Sequence, residues 1–107
     1  MPAATIDDPT LSRFRAELDA LYGERIERVV LFGSRARGEA RHDSDYDVAV
    51  FLHDLADYWS EADRIADMAT DILYDTGAVI NALPFPAGAY NQQTGFMHEV
   101  RADGLDL

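Results

Sequence analysis

Gly33-Ser34-Arg35-Ala36-Arg37-Gly38-Glu39-Ala40-Arg41-His42-Asp43-Ser44-Asp45-Tyr46-Asp47 links two apolar runs, Ile26 to Phe32 and Val48 to Leu52. Both runs are rich in Val, Leu and Ile and read as buried strands. Side chains alternate faces along an extended chain, so Asp45 and Asp47 point one way and Tyr46 the other. Two carboxylates about 5 Å apart repel by roughly 3 kcal/mol at an effective dielectric of about 20. A bound divalent cation would reverse that cost. All-oxygen ligation suits Mg²⁺, which takes one or two carboxylates plus substrate phosphates. No cysteine or paired histidine at metal spacing points to zinc.

Outward from this stretch the chain divides into short elements. Residues 1–8 read as an N-terminal arm, with Asp8 placed to cap a helix whose first position is Pro9. Leu11, Phe14, Leu18 and Leu21 supply that helix's buried stripe, and Gly23 ends it. Ser34 to Glu39 reads as a short helix with its N-terminus turned toward an anion, and Ala40 to Ser44 as a polar loop. The second strand runs from Asp45 to Leu52, with Tyr46, Val48, Val50 and Leu52 on the face opposite the acids. Leu55 to Thr76 predicts a long helix packed through Trp59, Ala62, Ile65 or Ala66, Ala69 and Ile72 or Leu73. Ala78 to Leu83 gives a third strand closed by Pro84 and Pro86. Gln93 to Ala102 gives a last helix with Phe96, Met97 and Val100 inward and Gly104 as its stop. The order predicts an α+β (α/β) fold, a small mixed sheet of three to four strands with helices packed against it.

Composition limits the function. A chain of 107 residues with 48% hydrophobic content suits one domain spanning residues 1–107. No apolar run reaches a membrane span and the first residues do not resemble a signal peptide, which predicts a cytoplasmic protein away from membranes. A net charge of -11 argues against direct nucleic-acid binding, which is built on neutralising phosphates. Arg35, Arg37 and Arg41 lie inside the linking stretch while most acids lie outside it, so positive charge collects where a polyphosphate would sit. The plainer reading of the three is solvated turn residues. His42 and Asp43 read as loop residues and Asp75 as a surface acid at a helix end.

The linking stretch resembles the nucleotidyltransferase superfamily of polymerase β type, in particular its minimal (MNT) branch, whose pattern is Gly-Ser, a short spacer and Asp-x-Asp. Gly33-Ser34, Arg35, Gly38, Ser44-Asp45 and Asp47 carry the match. The resemblance implies the polymerase β-like fold over nearly the whole chain and an ATP–Mg²⁺ ligand. By matching position, Gly33 and Ser34 would contact phosphates, with Arg35 and Arg37 as phosphate clamps. Asp45 and Asp47 would be the catalytic acids and hold the metal. Full catalytic members carry a third acid on the neighbouring strand. Here that strand reads Ala78-Val79-Ile80-Asn81-Ala82-Leu83 and offers only Asn81, an amide that can ligate Mg²⁺ but accepts no proton.

The resemblance further implies a partner, because minimal members commonly act as antitoxins of a small helical HEPN toxin, an RNase. Such an antitoxin neutralises the toxin by transferring AMP to a tyrosine or by binding it. Asn81 keeps open a catalytically degenerate module that acts only by complex formation. An alternative from another class is a stand-alone transferase for a small hydroxyl compound such as an aminoglycoside, against which the lack of an acceptor domain argues.

Overall fold

The computed structural model describes residues 8–107, so the expected arm lies outside the described residues except for Asp8. Helix α1 spans Pro9–Tyr22, and Asp8 caps it as expected, its Oδ1 accepting from the backbone N–H of Thr10 at 2.8 Å and of Leu11 at 3.3 Å. Its buried stripe is Leu11, Phe14, Leu18 and Tyr22. Leu21, expected in that stripe, is exposed, because at 100° per residue the last turn brings the i+4 side chain nearer the stripe's centre than the i+3.

Strand β1 covers Ile26–Phe32, as the apolar run predicts, and leads through Gly33 into the single-turn helix α2, Ser34–Arg37. Strand β2, Tyr46–Leu52, returns antiparallel beside β1. Helix α3, Tyr58–Thr76, crosses over to β3, Ile80–Pro86, which lies parallel to β2. Helix α4, Gly95–Asp103, then delivers β4, Leu105–Asp106, onto the free side of β1. The strand order is β3-β2-β1-β4, a mixed four-stranded sheet.

The pleat divides the apolar residues between two layers. Val29, Leu31, Tyr46, Val48, Val50 and Leu52 face α1 and α3, meeting Phe14, Leu18, Ile65 and Ile72. Val30, Ala49 and Phe51 face α4 and the 3₁₀ turn Ala89–Asn91, meeting Met97 and Val100. A bulge at Glu27 lets Ile26 share the first face with Val29 and Leu31, since Ile26 opposes Leu52 while Arg28 opposes Phe51. A fully buried Phe such as Phe14 or Phe51 contributes roughly 2–3 kcal/mol of transfer free energy.

Four expectations need correction. Helix α3 starts at Tyr58, capped by Asp57, rather than at Leu55, and its buried stripe is Glu61, Ile65, Met68 and Ile72. That phase turns Trp59 outward, 75% exposed, and leaves Ala66 and Leu73 outside the core. Burial of Glu61 is the unexpected part; Arg25 offsets it at 3.7 Å, and one carboxylate oxygen has no partner. Second, β3 continues through Pro84 and Pro86. Bonds from Tyr46 N–H to Val79 O and from Ala87 N–H to Leu52 O flank the parallel pairing. Odd-numbered β3 residues therefore aim their backbone groups at β2 and even-numbered ones at the open side, so neither proline costs a ladder bond. Third, Phe96 is 41% exposed, although its ring stacks on Phe85 and meets Phe32 edge-on. Fourth, β4 was not anticipated as a strand. Gly104 allows it, because a Cβ there would overlap the Val100 carbonyl oxygen and crowd Val30.

Tyr46 joins three elements. Its hydroxyl donates to Asp8 Oδ2 at 2.7 Å, and the Arg35 guanidinium lies 3.9 Å from its ring centroid. Burial, then the hydrogen bond to Asp8, pushes the Tyr46 hydroxyl above the usual tyrosine range. A tyrosine whose folded pKa exceeds its unfolded value of about 10 contributes stability that is complete below about pH 10 and lost as pH rises through the folded pKa. Tyr46→Phe is expected to cost about 1–2 kcal/mol in urea denaturation at pH 7. The gap between variant and wild type should narrow above pH 10, and a gap that is constant with pH would contradict this account.

Candidate functional site

Gly33 sits where β1 ends, with φ 77° and ψ -159°, a conformation that a side chain rarely adopts. Space imposes the same choice, since a Cβ at 33 would overlap Asp47 Oδ2. The Asp47 carboxylate therefore lies directly against the Gly33 backbone, across a register that pairs Phe32 with Asp47 and Asp47 with Asn81. The Gly33 carbonyl accepts from Ala36 and Arg37 N–H, both at 3.1 Å, which closes the turn that carries Ser34.

The loop from Glu39 to Asp45 folds the spacer back onto β2. Ser44 Oγ accepts from Arg41 N–H at 2.9 Å, and Ser44 N–H reaches the Arg41 carbonyl at 3.1 Å. Asp45 leaves this turn exposed, and its Oδ2 accepts from Asn81 Nδ2 at 3.0 Å. With Tyr46 held in the α1/α3 layer, Asp45 and Asp47 lie toward the α4 layer, the face of Ala49 and Phe51. Gly33, Asp45, Asp47 and Asn81 are thus neighbours at one end of the sheet. Leu83, opposite Ala49, and Phe96 border them with partly exposed apolar surface. These two border residues escaped the sequence reading, since only the strand register reveals them.

The arginines separate. Arg35 donates from Nε to the Ser44 carbonyl at 2.8 Å and from Nη2 to the His42 carbonyl at 3.2 Å, besides covering Tyr46. It braces the spacer on the tyrosine side of β2, away from the carboxylates. Arg37 pairs with Glu39 at 2.9 Å and with Asp103 of α4 at 2.8 Å, tying the turn to the other layer. Arg41 and His42 are exposed, and Asp75 pairs with Arg13 at the surface.

The donors suit a hard cation. Two carboxylates on one face and an amide beside them offer only oxygen ligands, once the Asn81 amide turns its oxygen inward. No group of three or more His, Cys, Asp or Glu side chains assembles among the described residues, so the carboxylate pair stands without a third acid.

The family model described as polymerase beta, nucleotidyltransferase, matches residues 19–105. A Methanocaldococcus jannaschii protein named "putative protein adenylyltransferase" is 30% identical over 87 residues, 81% of each chain. Among solved structures, a toxin–antitoxin complex with AMP-PNP aligns with TM-score 0.61 at 18% identity, over 87% of this chain and 68% of that one. A variant of the toxin–antitoxin MntA-HpeT aligns with TM-score 0.60 at 16% identity, over 86% and 68%. Together with the fold and the Gly33-Ser34 and Asp45-x-Asp47 pattern, the match shows that this chain belongs to the polymerase β-type nucleotidyltransferase family.

Proposed function

We propose that the chain binds ATP with Mg²⁺ at Gly33, Ser34, Asp45 and Asp47 and serves as the antitoxin of a HEPN-type helical toxin in the cytoplasm. The observation that carries this reading is the packing of the Asp47 carboxylate on the bare Gly33 backbone, with Asp45 alongside it. Two carboxylates beside a backbone segment with no side chain of its own are the combination a metal–polyphosphate would need, which supports this reading. Mg²⁺ would be held by Asp45 and Asp47 and would supply charge neutralisation on the phosphates. Gly33 and Ser34 would cradle the phosphates. Arg37 is the motif cation on the α4 side of the sheet, so it suits a phosphate clamp better than Arg35. That AMP-PNP accompanies a toxin–antitoxin complex of the same fold supports the pairing of nucleotide with partner.

Neutralisation by complex formation is the better-supported version, because Asn81 stands opposite Asp47 and donates to Asp45. An amide there supplies no negative charge for a second cation and takes no proton from an attacking hydroxyl. AMP transfer to a partner tyrosine is the second reading, favoured by the name of the 30%-identical relative. In it the tyrosine oxygen bonds to the α-phosphorus, pyrophosphate leaves, and the hydroxyl proton passes to solvent.

Calorimetry with ATP and Mg²⁺ tests the site. The double variant Asp45→Ala, Asp47→Ala should lose at least tenfold in Mg²⁺-dependent ATP affinity, and unchanged affinity would refute the metal assignment. Arg37→Ala is expected to weaken ATP binding several-fold at little cost in stability. Arg35→Ala should instead destabilise the fold by about 1–2 kcal/mol, as a cation–π contact and two carbonyl bonds are lost, with ATP affinity retained. Asn81→Asp separates the two versions. If mass spectrometry finds AMP added to a co-expressed toxin only with this variant, the wild-type chain acts by binding; AMP added by the wild type establishes transfer.

A further inference from the structure

Across the acidic end, the border of the sheet changes character from one side to the other. On the β1 side it is ionic, formed by Arg37 with Glu39 and Asp103. On the β3 side it is apolar. Asn81 pairs with Asp47 and Leu83 with Ala49, so Leu83 shares the face of the acids and lies one pleat repeat, about 6.6 Å, farther along the strand. Its side chain is 48% exposed.

Phe96 stands over the same stretch of sheet. Its ring meets Phe32 edge-on at 5.5 Å and stacks on Phe85 at 5.6 Å between centroids. Phe32 pairs with Asp47 and Phe85 with Phe51, which leaves Ala49 between them on β2. A methyl group at that position leaves room for a phenyl ring to lie between the two. On α4 itself Phe96 comes one residue before the buried Met97 and four before Val100. At 100° per residue it therefore sits on the flank of the buried stripe, fixed by two aromatic neighbours yet 41% exposed.

This gradient from ionic to apolar follows the build of a nucleotide. Phosphates on Gly33 and Ser34, at the end of β1, leave the nucleoside on the β3 side of Asp45 and Asp47. An aromatic ring held in place takes a base by stacking, and an aliphatic neighbour widens the contact. A protein partner fits this surface less well. It would gain two exposed apolar side chains and have to desolvate the neighbouring carboxylates, a poor exchange.

We infer that Phe96 and Leu83 form the base-binding wall of the nucleotide site, the base stacking on the Phe96 ring with Leu83 at its edge. Stacking grows with ring area, so the wall prefers purine to pyrimidine nucleoside triphosphates. The inference deepens the nucleotide half of the proposed function and rests on it.

Calorimetry in Mg²⁺ with ATP, CTP and inorganic tripolyphosphate reads the wall apart from the phosphate cradle. Phe96→Ala should weaken ATP binding by about fivefold or more, weaken CTP less, and leave tripolyphosphate unchanged. Leu83→Ala should act in the same direction. Phe96→Trp, which enlarges the stacking face, should retain or tighten ATP binding. Placed in a Trp59→Phe background, the introduced indole should be quenched by ATP and not by tripolyphosphate; Trp59 is 75% exposed, so its replacement spares the core. Equal losses of ATP and tripolyphosphate in Phe96→Ala would reduce Phe96 to a structural role and overturn the inference. Quenching by N-acetyltyrosinamide but not by ATP would overturn it in favour of a partner's side chain. Tripolyphosphate binding to the wild type, with ATP affinity indifferent to Phe96→Ala, refutes the wall alone. Failure of both ATP and tripolyphosphate to bind the wild type refutes the nucleotide site and the wall with it.

Discussion

The phase of β2 governs the molecule. Its even-numbered side chains enter the layer beneath α1 and α3 and its odd-numbered ones the layer beneath α4. A slip of one residue would exchange the two sets, driving Asp47 into the α1/α3 layer and moving Val48 and Val50 into the smaller α4 layer. Tyr46 fixes the phase at the end where it matters, because its hydroxyl is taken by Asp8 and its ring is covered by Arg35. The same aspartate caps α1, so helix, strand and spacer share one anchoring point. Burying a tyrosine with its hydroxyl satisfied therefore presents the flanking carboxylates to solvent on the opposite face.

From that anchor the division of labour between layers follows. The α1/α3 layer holds most of the buried apolar mass, and the thinner α4 layer leaves the ends of β2 and β3 uncovered around Asp45, Asp47 and Asn81. Arg37 spans the gap by reaching Asp103, and Phe96 closes it from the side by stacking on Phe85. This uncovered end is bordered by α4, nine residues long, through Phe96 against Phe32 and Asp103 against Arg37. Its boundary is set by contacts between residues up to 66 positions apart.

Much of this was legible in the sequence, for identifiable reasons. Ile26–Phe32 is a continuous apolar run bounded by turn residues, so both its ends could be read directly. The pairing of Gly33 with the acids came from the resemblance to the Gly-Ser, spacer, Asp-x-Asp pattern, and Asn81 was placed beside them as the lone polar residue of the third strand. The phase of α3 was not legible, since apolar residues occupy two neighbouring faces and the sequence does not say that one of them remains uncovered. Leu105–Asp106 is too short for periodicity and pairs with residues about 75 positions earlier. Pro84 and Pro86 read as a stop because only the hydrogen-bond parity shows that they sit in the outward phase. Arg35 was read as a phosphate clamp from its match to the family pattern, and its place over the Tyr46 ring shows only once the two faces of β2 are packed.

Gly33 answers to two masters, a torsion that side chains rarely accept and the crowding from Asp47. Only the second is tied to the carboxylate. A descendant that traded Asp47 for a small neutral residue would gain room at position 33, yet the backbone would still forbid filling it. The glycine would therefore outlive the chemistry as a relic. In tracing which lineages of such chains still handle metal and phosphate, the acids are the informative positions and the glycine is mute.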